Sequence, residues 1–140
     1  MNIVFLDIDG VLNSEISYAE FHSFDILPKE KINLLNNILE KTNAFIVLSS
    51  YWRLETENTK EMLINHGIYP AKMRYLDKTS YLEGNRSAEI KDWLDNHKHD
   101  NFVILDDCYV DGFPDNFCLI DSKIGLTEFD AEKAIKILSL

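Results

Sequence analysis

The chain is short of several features that would mark a specialised class of protein. It has two cysteines, Cys108 and Cys118, in 140 residues. They form no CxxC pair, so neither a disulfide framework nor a cysteine-built metal knot is offered. No apolar run approaches the ~20 residues needed to cross a bilayer, so membrane insertion is not expected. The chain opens directly on a strand-like run, without a basic stretch and an apolar signal segment, and with the reduced cysteines this fits the cytoplasm. Basic residues are also scarce. Fourteen Lys and Arg stand against 24 Asp and Glu, a formal net charge of -10, which removes the broad positive footprint of a nucleic-acid groove. There is no internal repeat and no low-complexity tract.

Apolar residues, by contrast, are plentiful: 46% of the chain is hydrophobic and 11% aromatic, enough to offset the entropy of ordering one compact unit. At this length a single domain spanning 1–140 is expected. Ile3 to Leu6 is continuously apolar and ends at acids and Gly10, the pattern of a strand buried on both faces. Ala44 to Leu48 repeats it and stops at Ser49-Ser50. Phe102 to Leu105 repeats it again and stops at Asp106-Asp107, and Phe117 to Ile120 reads as a fourth strand. Helical spacing runs over Pro28 to Glu40, Glu55 to His66, Ser87 to Asn96 and Asp130 to Leu138. Asn13 to Leu27 reads as a loop, and Tyr69 to Tyr75 as a short edge strand followed by a polar loop.

Strands alternating with helices predict an α/β fold, a three-layer α/β/α sandwich on a mainly parallel sheet, with its crevice beyond the carboxyl ends of the strands. Asp7, Asp9, Ser49, Ser50, Asp106 and Asp107 would then converge. Four carboxylates held together repel one another unless a hard cation sits among them. Mg²⁺ suits such oxygen ligands and keeps room for a substrate phosphate.

The run Val4-Phe5-Leu6-Asp7-Ile8-Asp9-Gly10-Val11 resembles the first motif of haloacid-dehalogenase (HAD) phosphatases, an apolar strand followed by DxDG[TV]. Ile46-Val47-Leu48-Ser49 resembles the second motif, Arg86 stands where the basic third motif falls, and Val103-Ile104-Leu105-Asp106-Asp107 resembles the acidic fourth. The combination of VLSSYWR, NRSAEIKDWL, VILDD and GLTEFDAEKAIKIL resembles, more narrowly, the small HAD domains of bacterial Swiss Army knife RNA repair proteins. One departure is visible: the superfamily usually has lysine in its third motif, and this chain offers Arg86 at the head of a helix or Lys91 within it.

The resemblance implies an Mg²⁺-dependent phosphoric monoester hydrolase working through an aspartyl-phosphate. Asp7 would be the nucleophile and Asp9 the general acid and then base, worth ~10²–10⁴-fold for such proton transfer. The metal would be held by Asp7, the Asp9 backbone carbonyl and Asp107, with Asp106 and Gly10 in support. Ser49, directly after its strand, is preferred over Ser50 as hydroxyl donor to a phosphoryl oxygen, with Ser50 and nearby backbone N–H groups helping to hold the anion at a helix start. Arg86 would neutralise the transferring phosphoryl group, with Lys91 read as a surface residue whose charge could reach the same space. Trp52 and Arg53 read as core packing and a surface ion pair. The gaps between motifs are too short for a full cap domain. An open site suits a phosphate on a larger molecule, such as an RNA or DNA end, gripped locally and without an extended groove. The competing readings are a catalytically silent binding or partner domain on the same fold, and a phosphotransferase.

Overall fold

The computed structural model describes the backbone of residues 1–140 and every side chain except those of Tyr51 and Leu54. Five strands, β1 (Asn2–Leu6), β2 (Ala44–Leu48), β3 (Asp77–Lys78), β4 (Phe102–Asp106) and β5 (Phe117–Leu119), form one sheet in the order β3-β2-β1-β4-β5. Every pairing in it is parallel, so the sheet is all-parallel rather than mainly so. The helices are α1 (Glu15–Phe21), α2 (Lys29–Thr42), α3 (Thr56–Asn65), α4 (Arg86–Asn96) and α5 (Glu128–Leu138).

Side chains alternate across a strand, and the two faces of this sheet therefore build two cores. Val4, Leu6, Ile46, Leu48, Val103 and Leu105 pack with the apolar stripes of α2, α3 and α5. Ile3, Phe5, Val47 and Ile104 pack on the other side with Ile90 and Trp93 of α4. Phe5 is fully buried there, with Trp93 and Phe102 edge-on to it at 5.5 and 5.9 Å. Burial on both faces is why these strands read as unbroken apolar runs.

Successive strands leave β1 in opposite directions, β2 and β3 to one side and β4 and β5 to the other. The switch in direction opens a crevice at the carboxyl ends of β1 and its neighbours. Two connections differ from the sequence reading. Asn13 to Leu27 is not wholly a loop, because Ser14 caps α1 through a capping box closed by Ser17 instead of the usual Glu or Gln. The strand expected at Tyr69 to Tyr75 is a 3₁₀ turn at Pro70–Met73. The proline starts that turn, and the edge strand is the two residues of β3 that follow. Among the described residues, the β1–α2 connection holds only α1, while that from β2 to α4 holds two 3₁₀ turns, α3 and β3, so neither carries a cap domain. No helix is long and apolar enough to cross a membrane.

Candidate active site

The three central strands bring the motif residues to one place. The Asp7 N–H donates to the Leu105 carbonyl at 3.0 Å and the Ser49 N–H to the Leu6 carbonyl at 3.1 Å, which stitches the ends of β4, β1 and β2 together. The chain turns sharply after Asp9, where Gly10 has φ +83°. A Cβ on Gly10 would lie 2.3 Å from Asp107 Oδ2, so both the left-handed backbone and the close approach of that carboxylate require glycine.

Asp106 is fully buried and both its oxygens are engaged. Oδ1 accepts the Cys108 N–H at 2.9 Å, and Oδ2 accepts Arg86 Nη1 at 2.6 Å. The same Arg86 nitrogen lies 3.6 Å from Asp7 Oδ2. Arg86 gets there because Asn85 caps α4 through the Ala88 N–H, making Arg86 the first helical residue. Lys91, one turn and more along α4, is not brought to the site; it is exposed and paired with Asp95 at 3.0 Å.

Burial first, then the Asp106 charge and a hydrogen bond with the Asp107 carboxyl, push Asp7 up to about 9; Arg86 pulls the other way. Asp106 is also raised, by burial first, against the opposing pull of Arg86. The excess of carboxylates over the single guanidinium is thus relieved by protons. A divalent cation would relieve it equally and return Asp7 to its carboxylate form, so the charge of the site is compatible with one. Asp106, Asp107 and Cys108 each bring a ligand atom within 4.8 Å of the others. Cys108 is held protonated, its thiol pushed up by burial and then by Asp107 and Asp106, and Asp106 is committed to Arg86. The carboxylates left that could hold a hard cation are Asp7 and Asp107.

Ser49 is fully buried and its Oγ has no hydrogen-bond partner, an orphan donor at the end of β2. Ser50 instead accepts the Trp52 N–H and caps the following 3₁₀ turn, so of the two serines it is Ser49 that keeps a free hydroxyl. Three groups escaped the sequence reading. Asn13, fully buried, donates to Asp9 Oδ1 at 2.9 Å and to the Phe24 carbonyl at 2.8 Å, and accepts the Gly10 N–H at 2.8 Å. It fixes Asp9 and the turn together. Arg53 is not in a surface ion pair but a buried one: Nη1 and Nη2 fork onto Glu89 at 3.1 and 3.0 Å, and Nη1 also reaches the Ser49 carbonyl at 3.2 Å. Glu89 lies three residues beyond Arg86 on α4 and accepts the Leu82 N–H at 2.9 Å, so this pair ties the serine loop to the segment that presents Arg86. The one signal for Asn13 is its place four residues after Asp9; for Arg53 and Glu89 no local pattern exists.

An all-parallel sheet of this order, with two acids after its central strand, an acidic pair after the next and no cap, defines a small HAD-like domain. Residues 3–131 match the family described as the HAD domain in Swiss Army Knife RNA repair proteins, and the chain belongs to that family. HAD domains are typically phosphohydrolases and generally use Mg²⁺. No curated protein and no solved structure matches the chain.

Proposed function

We propose that this domain, folding as one unit over residues 1–140, hydrolyses a phosphomonoester at the end of an RNA or DNA strand or on a nucleotide, through an aspartyl-phosphate on Asp7. The observation that carries this reading is the convergence of Asp7, Asp106, Asp107 and the orphan hydroxyl of Ser49 at three adjacent strand ends, with Arg86 reaching in from the head of α4. Each group has a distinct task. An Asp7 oxygen attacks phosphorus while the bond to the leaving alcohol breaks, and Asp9 gives that alkoxide its proton. Asp9 then removes a proton from water, which attacks the phosphorus, frees inorganic phosphate and regenerates Asp7. Asn13 holds the Asp9 carboxylate for both transfers.

Arg86 faces the charge of the transferring group and Ser49 Oγ donates to one of its oxygens. Mg²⁺, held by Asp7, Asp107 and the Asp9 carbonyl, would neutralise the carboxylates and screen the phosphate from them. Asp106 keeps Arg86 in place. The family's RNA repair context and the absence of a cap support a phosphate on a large substrate, and the charge of -10 favours recognition of an end over a groove.

The test is a phosphatase screen in Mg²⁺ over sugar phosphates, nucleotides and 3′- or 5′-phosphorylated oligonucleotides, with product analysis in the presence of an acceptor alcohol. Release of inorganic phosphate, lost in EDTA and in Asp7→Asn, is the expected result. Phosphate found on the acceptor alone would make the protein a phosphotransferase, and no turnover with any substrate would leave a silent binding domain.

A further inference from the structure

Beside Arg86 a second feature opens that none of the catalytic roles uses. A pocket of about 420 Å³ lies between the start of α4 and the loop after β4, lined by Asn85, Arg86, Ser87, Cys108, Tyr109 and Asp111 among others. It shares Arg86 with the phosphate-facing residues, and Cys108 and Tyr109 directly follow Asp107 in the chain. A group esterified to a phosphate held by Arg86 therefore meets this pocket next. The wall is braced, since the Ser87 hydroxyl donates to the Asp111 carbonyl at 2.6 Å and ties the loop to the helix.

Tyr109 is 70% exposed although it is one of the bulkiest side chains on this rim. It is not loose. Its ring meets Phe117 edge-to-face, with centroids 5.7 Å apart, so a large aromatic surface is held in water at a fixed place. The charge of the pocket narrows what can use that surface. Arg86 is its one cation and is already shared with Asp7 and Asp106, while Asp111 adds a carboxylate to the lining. A second phosphate is poorly served there, and a neutral, flat, hydrogen-bonding group is well served. The volume suits a single nucleoside and not a duplex.

We propose, building on the phosphohydrolase reading, that this pocket is the subsite for the nucleoside carrying the reacting phosphate, with Tyr109 as the platform on which its base stacks. The domain would thus read one unpaired terminal nucleotide. Stacking of a base on an aromatic ring corresponds to ~5–150-fold in binding.

Two measurements on wild type, Tyr109→Phe and Tyr109→Ala test this. In the first, kcat/KM in Mg²⁺ is compared between 3′- and 5′-adenosine monophosphate and ribose 5-phosphate, which lacks the base. Wild type should favour a nucleotide, and Tyr109→Ala should lose ~5–150-fold more on the nucleotide than on ribose 5-phosphate, with Tyr109→Phe close to wild type. In the second, quenching of a 2-aminopurine riboside monophosphate reports stacking without any turnover, and it should vanish in Tyr109→Ala and persist in Tyr109→Phe. Equal losses on both substrates, or quenching that ignores position 109, would overturn the subsite while leaving phosphate hydrolysis standing. Quenching that depends on Tyr109 in a protein that hydrolyses nothing would keep the subsite and sink the phosphohydrolase. Turnover of ribose 5-phosphate as fast as the nucleotides in wild type also overturns the subsite.

Discussion

In EDTA the protein should lose stability as pH rises through neutrality, and Asp7→Asn should remove most of that loss. The Asp7 carboxyl has an ordinary value of 3.8 and is raised to about 9 in the fold, chiefly by burial and then by Asp106 and Asp107. Between those two values the native state holds a proton that the unfolded chain has released. By linkage, stability is full below 3.8 and falls as pH climbs towards 9, opposite in sign to the usual salt-bridged aspartate. One whole proton is worth ~1.4 kcal/mol per pH unit, so from pH 6 to pH 8 wild type should lose on the order of 3 kcal/mol more than Asp7→Asn. At ~2–4 °C per kcal/mol for a domain near this size, the Tm difference between the two proteins should change by on the order of 10 °C across that interval. Asp106 shifts in the same direction and interacts with Asp7, so removing the Asp7 carboxyl also eases the titration of Asp106, and the comparison reads the two acids together. Differential scanning fluorimetry or calorimetry in EDTA, repeated in excess Mg²⁺, measures it directly. A cation at 100 times its Kd should add ~2.7 kcal/mol to wild type. Parallel pH curves for wild type and Asp7→Asn in EDTA would refute the reasoning, because they would mean that Asp7 carries no excess proton in the fold.

Arg53→Ala should destabilise the fold by ~3–5 kcal/mol in urea titrations, since it leaves Glu89 buried and unpaired, and the double variant with Glu89→Leu should recover part of that cost. Gly10→Ala should cost ~1–3 kcal/mol from the left-handed backbone alone and, by displacing Asp107, abolish the Mg²⁺-induced rise in Tm. Lys91→Ala should change stability by less than ~0.5 kcal/mol, measured by urea titration, as for any exposed pair four residues apart on a helix. Asp9→Asn should slow turnover by ~10²–10⁴-fold, whereas Asp7→Asn should abolish both turnover and capture of beryllium fluoride, an aspartyl-phosphate mimic.

The parts of the fold legible in the sequence are those where one physical demand dominates. Burial of β1, β2 and β4 on both faces forces unbroken runs of Val, Ile, Leu and Phe, and because those strands are parallel their polar successors must share one edge of the sheet. The sequence pattern alone therefore brings Asp7, Ser49 and Asp106 to that edge. What stayed hidden depends on contacts between segments far apart in the chain. Arg53 and Glu89 are 36 positions apart, each is an ordinary surface residue by composition, and only the packing of α4 beside the serine loop buries them as a pair. The choice between Arg86 and Lys91 was likewise closed to spacing, because it turns on where Asn85 starts the helix. Helix α1 was missed for a simpler reason: a serine at the third helical position closes its capping box, and serine there is a weak signal.

The charge arrangement at the site makes cation and phosphate partners in one equilibrium. Asp7, Asp106 and Asp107 outnumber Arg86 by three to one, so once Asp7 gives up its proton a phosphate dianion entering the metal-free crevice meets net repulsion except at one guanidinium. A divalent cation entering without phosphate satisfies the carboxylates and leaves coordination positions for water. Each ligand improves the field for the other, and such coupling is reciprocal: whatever factor Mg²⁺ adds to phosphate affinity, phosphate must add to Mg²⁺ affinity. The buried Asp106–Arg86 contact limits that coupling from the protein's side, since it fixes the guanidinium 3.6 Å from Asp7, where an incoming anion would meet it. Replacing Asp106 by Asn should therefore weaken phosphate binding in calorimetric titrations even with Mg²⁺ saturating. The variant would keep the metal's carboxylates but release the arginine from its anchor. Undiminished phosphate affinity in Asp106→Asn would show that Arg86 holds its position without that anchor.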